Sequence, residues 1–354
     1  MAEKERPVVA FLGPEGSYTH QFLNLPIQLI VPNSSLLISN SDSYTPQATL
    51  DAFKFTSITL SPQITIEDVF STVQSGTAYR GVVPFENSSN GSVVFTLDLF
   101  ADIHKKYADI LVCGEAYVSV KHCLLGYAQP SSRNQAQAET ESPSANEGEP
   151  ANDFTHIKRI YSHPQAWGQC KTFLSTHLKY TDRHDVSSTS KAAEIASQDE
   201  TGSSAALSSI MAADMFGLDV LAKTINDNVD NTTRFLVLRR ADSPTSASIS
   251  QSDCSKEQAA WKSLVTFTVD HGNPGALARC LDVFGTYGIN LTSINTRPSG
   301  LQNWNYVFFV EFQGRKEDGH GAEEGSVNKA LGELGQRCRT WRWLGSWRSG
   351  EVIE

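Results

Sequence analysis

The feature that most constrains this chain is a unit that recurs between residues 8 and 240: a short apolar run enters a turn rich in Ser, Thr, Asn and Gly, and the turn opens a helix. VVAFL (Val8–Leu12) leads into GPEGSYTH, YRGVVP (79–84) into FENSSNGSV, and IKRIYS into HPQAWGQC. HDVSSTS (184–190) leads into KAAEIASQ, and GSSAAL (202–207) into SSIMAADMFG. Continuous apolar runs of this length read as buried strands, and strands alternating with helices build a sheet covered on both faces. The fold class is therefore α/β. A cleft lined by several such helix starts offers unpaired N–H groups to a small polyanion, and carboxylates fit well. GPEGSYTH lacks both the G-K-[ST] of a Walker loop and the full G-x-G-x-x-G of a dinucleotide site. Taken singly, each turn also suits a plain strand-to-helix connection.

Residues 33–63, rich in Ser, Thr, Asn and Pro, read as an elaborated loop, and 65–75 as a short amphipathic helix capped by Thr65. The stretch 110–126 is one long strand or a strand pair. Residues 129–152 carry no aliphatic core former except alanine and read as a disordered insertion, because strand-like sequence resumes at once. Ser162 is placed as an N-cap with Pro164 in the first turn, opening a helix that continues through KTFLSTHL. Gly217 is the expected C-cap of the Ala-rich helix before it. After Arg240 a second low-complexity segment, 241–262, precedes a module of about 85 residues. Its expected order is strand 263–269, helix 273–286, strand 289–296, strand 305–312, helix 326–338 and strand 340–346, the βαββαβ ferredoxin-like unit. Asn273 is the expected cap and Pro274 the first helical residue.

The nine residues DNVDNTTRF (227–235) are a polar run that passes without a break into the strand 235–240. Such a loop delivers side chains to the mouth of a sheet, and Thr232, Thr233 and Arg234 stand at the junction. A strand-entry turn with local Asn and Asp hydrogen bonds is the plainer reading, and Asn231-Thr232-Thr233 also fits a glycosylation acceptor. Net charge is -10 with a pI near 5.4, which argues against nucleic acid or an anionic membrane as partner. No run of about 18 apolar residues is present, and the six cysteines lack C-x-x-C spacing, as free thiols in a reducing cytosol do. A cytoplasmic protein leaves that acceptor unmodified.

GPEGSYTH, PFENSSNGSV, SHPQAWGQC, the AALSS…MFGL segment and DNVDNTTRF, in this order, resemble the prephenate dehydratase family. SLVTFTVDHGNPGALARCLDVFGTYGINLTSINTRPS resembles the phenylalanine-responsive ACT domain that often follows it. The resemblance covers roughly 8–240 and 263–347. It implies a two-lobed catalytic domain like a type II periplasmic binding protein, with prephenate between the lobes losing CO₂ and water to give phenylpyruvate, without metal or cofactor. Matched motif to motif, it places the essential threonine at Thr233 and the other catalytic positions at Asn87, Ser162 and Gln169. Glu86, Ser88, Arg234, Thr232 and Ser17 adjoin them as substrate-binding candidates. The effector motifs for L-phenylalanine fall on Gly275-Ala276-Leu277 and on Asn295-Thr296-Arg297-Pro298. The second usually reads Glu-Ser-Arg-Pro, so Asn295 and Thr296 depart from the pattern; Trp167 and Ser17 are milder departures. ACT domains generally associate side by side, which implies a homodimer or homotetramer.

The chemistry asks for a hydrogen bond or proton to the leaving hydroxyl and a setting that favours loss of a carboxylate charge. Thr233 is expected to donate to that hydroxyl, and geometry and dryness must compensate for its weak acidity. Asn87, Ser162 and Gln169 suit fixing both carboxylates without locking the departing one in an ion pair. Arg234 either holds the carboxylate that stays or braces the loop. Arogenate dehydratase, the same elimination on the transaminated substrate, is the nearest alternative, and the lack of a plastid-type leader favours prephenate. A non-catalytic amino-acid or dicarboxylate sensor is the alternative from another class.

Overall fold

The computed structural model describes residues 7–14, 17–19, 59–128, 154–243, 261–318 and 325–349, and the backbone of 352–353. The expected insertion at 129–152 and most of the 241–262 segment lie outside these residues.

The first lobe is built on β1 (Val8–Leu12), β2 (Thr59–Gln63), β3 (Arg80–Asn87), β4 (Gly91–Ser92), β5 (Ile110–Ser119), β11 (Thr232–Arg240) and β16 (Val352–Ile353). Its sheet order is β16-β5-β11-β3-β1-β2, with β4 hairpinned on β3. The apolar runs form its centre: Val9, Ala10, Phe11, Val82 and Val83 are fully buried. Residues 59–63 are a strand where a loop was expected. TLSPQ has no apolar run to announce it; it pairs in parallel with β1 at the sheet edge, where Pro62 leaves no central ladder position unmet. Helix α1 (Ile66–Gln74) starts at Thr65, whose hydroxyl accepts from Asp68 N (3.1 Å) while the Asp68 carboxylate accepts from Thr65 N (3.0 Å), a reciprocal cap. Helix α2 (Val94–Ala101) follows β4.

The second lobe carries β6 (Cys123–Gly126), β7 (Arg159–Ser162), β8 (Asp182–Asp185), β9 (Ser204–Ser208) and β10 (Asp219–Ala222) in the order β10-β6-β9-β7-β8. The stretch 110–126 is thus a pair of strands in two different sheets. Helices α3 (Pro164–Gln169), α4 (Lys171–His177), α5 (Thr189–Ser197) and α6 (Ile210–Phe216) flank the sheet, and Gly217 closes α6 at φ 66° as expected. Ser162 is the last residue of β7, not a cap; His163 takes that position, its ring accepting from Gln165 N (3.3 Å). The helix after it is also broken, at Cys170. That residue offers no side-chain cap, and the orphan N–H groups of Lys171 and Thr172 instead donate to the Asp227 carboxylate (both 3.0 Å). This partner is more than fifty residues away, so local pattern could not show it.

The C-terminal module is β12 (Trp261–Thr268), α7 (Ala276–Thr286), β13 (Leu291–Pro298), β14 (Tyr306–Gln313), α8 (Ser326–Arg337) and β15 (Thr340–Arg348), with sheet order β13-β14-β12-β15. The βαββαβ order is as read. Helix α7 begins later than expected: Asn273 and Pro274 form a turn, and Gly275 at φ 77° is the cap. The module shares a core with the first lobe, in which Leu264, Val307, Phe309, Leu344 and Trp347 pack with Val83, Phe85, Leu236 and Leu238. Gly345, at φ 136°, sits so close to β5 that a Cβ there would collide with the Val112 carbonyl. Among the described residues no helix is long and apolar enough to cross a membrane.

Candidate active site

Two chain crossings join the lobes, residues 120–122 between β5 and β6 and residues 223–231 between β10 and β11. They are bonded to each other. Val120 N donates to Asn231 O (2.7 Å), Ile225 N to His122 O (2.9 Å) and His122 N to Asn226 Oδ1 (2.6 Å), and Asn226 Nδ2 donates to Val120 O (2.8 Å).

At the first-lobe end of this hinge, Thr233 and Asn87 are directly paired across β11 and β3 and so share a face. The Asn87 carbonyl oxygen accepts from Ser89 N (3.0 Å) and Asn90 N (2.9 Å), which fixes the amide's orientation. Its NH₂ therefore points the other way, donating to Thr233 Oγ1 (3.0 Å) and Asn231 Oδ1 (2.9 Å). Thr233 accepts a hydrogen bond and keeps its own proton to give. Asn231, 1% exposed, also accepts from Ser89 Oγ (3.3 Å), and its buried NH₂ has no partner among the described residues. Ser88 closes the cluster: its N–H donates to Thr232 O (2.8 Å) and its hydroxyl accepts from Thr232 N (2.9 Å).

The second group straddles the hinge. Gln169, at the end of α3, meets His122 (Oε1 to Nε2 2.7 Å), and His122 Nδ1 meets the Tyr18 hydroxyl (3.0 Å). Burial lowers the His122 pKa below its ordinary value, against a smaller opposing effect of the Gln169 hydrogen bond, so the ring is neutral. Burial likewise raises the Tyr18 hydroxyl well above the usual phenol range, and the Cys170 thiol is pushed up to about 12 by burial and then by Asp227. Ser162 is fully buried and its hydroxyl donates to Leu207 O (3.0 Å), tying the end of β7 to that of β9. Ser17 is buried in the turn after β1, its N–H donating to Pro14 O (3.2 Å). Residues 15 and 16 of that turn lie outside the described residues.

The sequence pattern did not separate the two faces of β11. The strand begins at Thr232, three residues before the apolar run, so alternation sends Thr233 to one face and Thr232 and Arg234 to the other. Arg234 lies beneath Thr233 rather than beside it, held by Glu115 (Nε to Oε2 2.8 Å) and by Glu311 of β14. Its pKa is raised: burial acts downward, but Glu115 and then Glu311 outweigh it. Glu86, paired with Arg234 across β3, comes within 4.0 Å of the guanidinium on that same face. Lys262 of β12 completes the buried group, 3.0 Å from Glu115. Sequence reasoning missed His122, Asn231, Tyr18, Glu115 and Glu311. A histidine and an asparagine at the lobe crossings were the available signals; the carboxylates had none, since their partners are remote in the chain.

Of the effector motifs, Gly275 caps α7, Ala276 is buried and Leu277 packs against the module's core. Strand β13 alternates. Asn295 accepts from Ser92 Oγ of β4 (2.6 Å), and Arg297 makes a two-point contact with Asp98 of α2 (2.5 and 3.1 Å). Thr296 and Pro298 are exposed, and Pro298 lines a cavity of about 410 Å³ with Leu301, Trp304 and Tyr306.

Two α/β lobes joined by a paired double crossing, with polar groups converging on the hinge and a ferredoxin-like unit docked behind, define a two-lobed α/β protein carrying a C-terminal βαββαβ domain. The prephenate dehydratase family profile matches residues 39–243 and the ACT domain profile residues 263–324. A bifunctional chorismate mutase/prephenate dehydratase of Aquifex aeolicus is 33% identical over 340 residues, covering 96% of this chain and 73% of that protein. A probable prephenate dehydratase of Saccharomyces cerevisiae is 28% identical over 373 residues, covering 97% and 96%. The crystal structure of prephenate dehydratase from Arthrobacter aurescens in complex with L-Phe superposes with a TM-score of 0.69 at 26% identity, covering 98% of this chain and 93% of that one. The chain belongs to the prephenate dehydratase family.

Proposed function

We propose that this chain converts prephenate to phenylpyruvate, with Thr233 as the donor to the leaving ring hydroxyl. One observation carries the assignment: Asn87 donates to Thr233 Oγ1 with its amide orientation fixed by two backbone N–H groups, so the threonine proton is free to point outward. As the ring C–O bond breaks, Thr233 gives a hydrogen bond to the departing oxygen while the ring carboxylate leaves as CO₂ and its bonding electrons complete the aromatic ring. Asn87, Gln169 and Ser162 set the site around the substrate, Gln169 as a neutral donor and Ser162 by fixing the strand end on which α3 starts. Ser88 holds the strand entry, and Ser17 sits buried in the turn after β1. Arg234, with Glu86 and Thr232, serves as a brace beneath the catalytic strand.

L-phenylalanine is the proposed effector, acting at Gly275–Leu277 and 295–298 between ACT domains of a homodimer or homotetramer. The L-Phe complex of the Arthrobacter protein supports this reading. A cytosolic setting is part of the same proposal; Cys113, Cys123, Cys170, Cys280 and Cys338 are free thiols. The test is product formation by the purified chain from prephenate and, separately, from arogenate, with and without L-phenylalanine. Phenylpyruvate from prephenate, reduced by phenylalanine, is the expected outcome. Preference for arogenate would overturn the substrate assignment, and binding without turnover would overturn the catalytic one.

A further inference from the structure

We propose that His122 is a positioning residue for catalysis, holding Gln169 in one orientation through a fixed tautomer set by Tyr18. The inference rests on the reading of Gln169 as a group that contacts substrate. It begins with the three elements that meet here. Tyr18 comes from the helical residues that follow the turn after β1 in the first lobe, His122 from the crossing between lobes, and Gln169 from the end of α3 in the second lobe.

With the Gln169 carbonyl turned to the ring, as it is here, the hydrogen bonds have one consistent solution for a neutral imidazole. An amide carbonyl only accepts, so Gln169 Oε1 at 2.7 Å requires the proton on His122 Nε2. Nδ1 is then a bare acceptor, and the Tyr18 hydroxyl at 3.0 Å is its donor. The other acceptor within reach of that hydroxyl, Lys121 O, is farther away at 3.4 Å. The ring itself is anchored through its backbone, His122 N to Asn226 and His122 O to Ile225, so the imidazole has a fixed origin on the paired crossings. Burial keeps it neutral. With its carbonyl so occupied, half-buried Gln169 is left with its NH₂, for which nothing among the described residues accepts. In this tautomer the ring holds Gln169 with its NH₂ toward a carboxylate ligand; the flipped amide, which would present a repelling carbonyl, requires the proton on Nδ1 and leaves the Tyr18 hydroxyl only the longer 3.4 Å bond to Lys121 O to give. The same contact joins both lobes to the hinge, so Gln169 takes its orientation only where the lobes meet.

The experiment is a double-mutant cycle on the full chain, with kcat and KM for prephenate measured for His122→Leu, Gln169→Ala and the pair. His122→Leu is expected to lower kcat/KM about tenfold, the size of one lost hydrogen bond to a reacting ligand. In the Gln169→Ala background it is expected to have no further effect, since its action passes through that side chain. Equal losses in both backgrounds would overturn the proposal and leave His122 a structural hinge residue. If Gln169→Ala alone kept full activity, the reading of Gln169 would fail and the inference with it, a result separable from the previous one. Should His122→Leu not fold, Tyr18→Phe makes the same test. It removes only the donor to Nδ1 and is expected to cost about threefold in kcat/KM in the parent and nothing in Gln169→Ala. An equal loss in both backgrounds overturns the proposal there as well.

Discussion

In the proposed reaction Thr233 and Asn87 form a donor chain in which direction matters. Asn87→Asp keeps the shape of the side chain but replaces the NH₂ donor by an acceptor, and the threonine proton then turns to the new carboxylate instead of the substrate. Its kcat is expected to fall about 100-fold or more, as is that of Thr233→Ala, whereas Thr233→Ser retains most of the rate; steady-state kinetics with prephenate decide this. A pH effect follows from two histidines, one buried and one half-buried. His122 and His163 both have folded-state pKa values lowered chiefly by burial, so the unfolded chain binds protons that the folded chain refuses. Stability is therefore full above about pH 6.5 and declines as pH falls through that value toward the folded ones. Thermal melts between about pH 7.5 and 5.5 are expected to show this decline, and His122→Gln to flatten it. At this scale the sequence exposed Thr233 and Asn87 through their motifs. It could not show which way the Asn87 amide points, because Ser89 and Asn90 settle that through backbone N–H groups whose positions depend on the turn.

The elements were legible where apolar runs are long and illegible where a remote partner makes them. β1, β3 and β9 are continuous apolar runs, and Thr65 and Gly217 announce their helix ends. β2 exists only because β1 offers an edge, and the break at Cys170 only because Asp227 caps α4 from the lobe crossing. That cap predicts a specific weakness. Asp227→Ala is expected to cost about 1 kcal/mol of stability in denaturant titrations, with Asp227→Asn recovering part of it. The start of β11 at Thr232 is the boundary error with the largest consequence, since strand alternation from that point assigns Arg234 to the face opposite Thr233.

At the scale of the molecule, the ACT domain is a packed neighbour of β11 rather than a tethered appendage. Arg234, Glu115 and Glu311 form a buried ionic group across that boundary, and removing one partner leaves an uncompensated charge. Glu311→Ala is expected to destabilise the chain by about 3–5 kcal/mol in denaturant titrations, while Glu311→Gln costs less and separates charge from packing. Breaking the contact between Asn295 and Ser92 with Asn295→Ala is expected to weaken inhibition by phenylalanine without changing kcat in its absence, as dose–response curves would register. Domain order could be read from the sequence, but this docking could not, because Gly345 and Glu311 acquire their roles only against Val112 and Arg234. The backbone contact at Gly345 has a consequence for how the protein comes apart. Since the first lobe and the ACT sheet bury Leu236, Leu344 and Trp347 in one core while the second lobe has cores of its own, amide hydrogens of β5, β11 and β12 should exchange together and last. Those of the second lobe should exchange earlier, as a separate cooperative unit. The seam along which this protein is expected to loosen thus runs between the two lobes, while the boundary between the first lobe and the ACT domain is expected to stay closed.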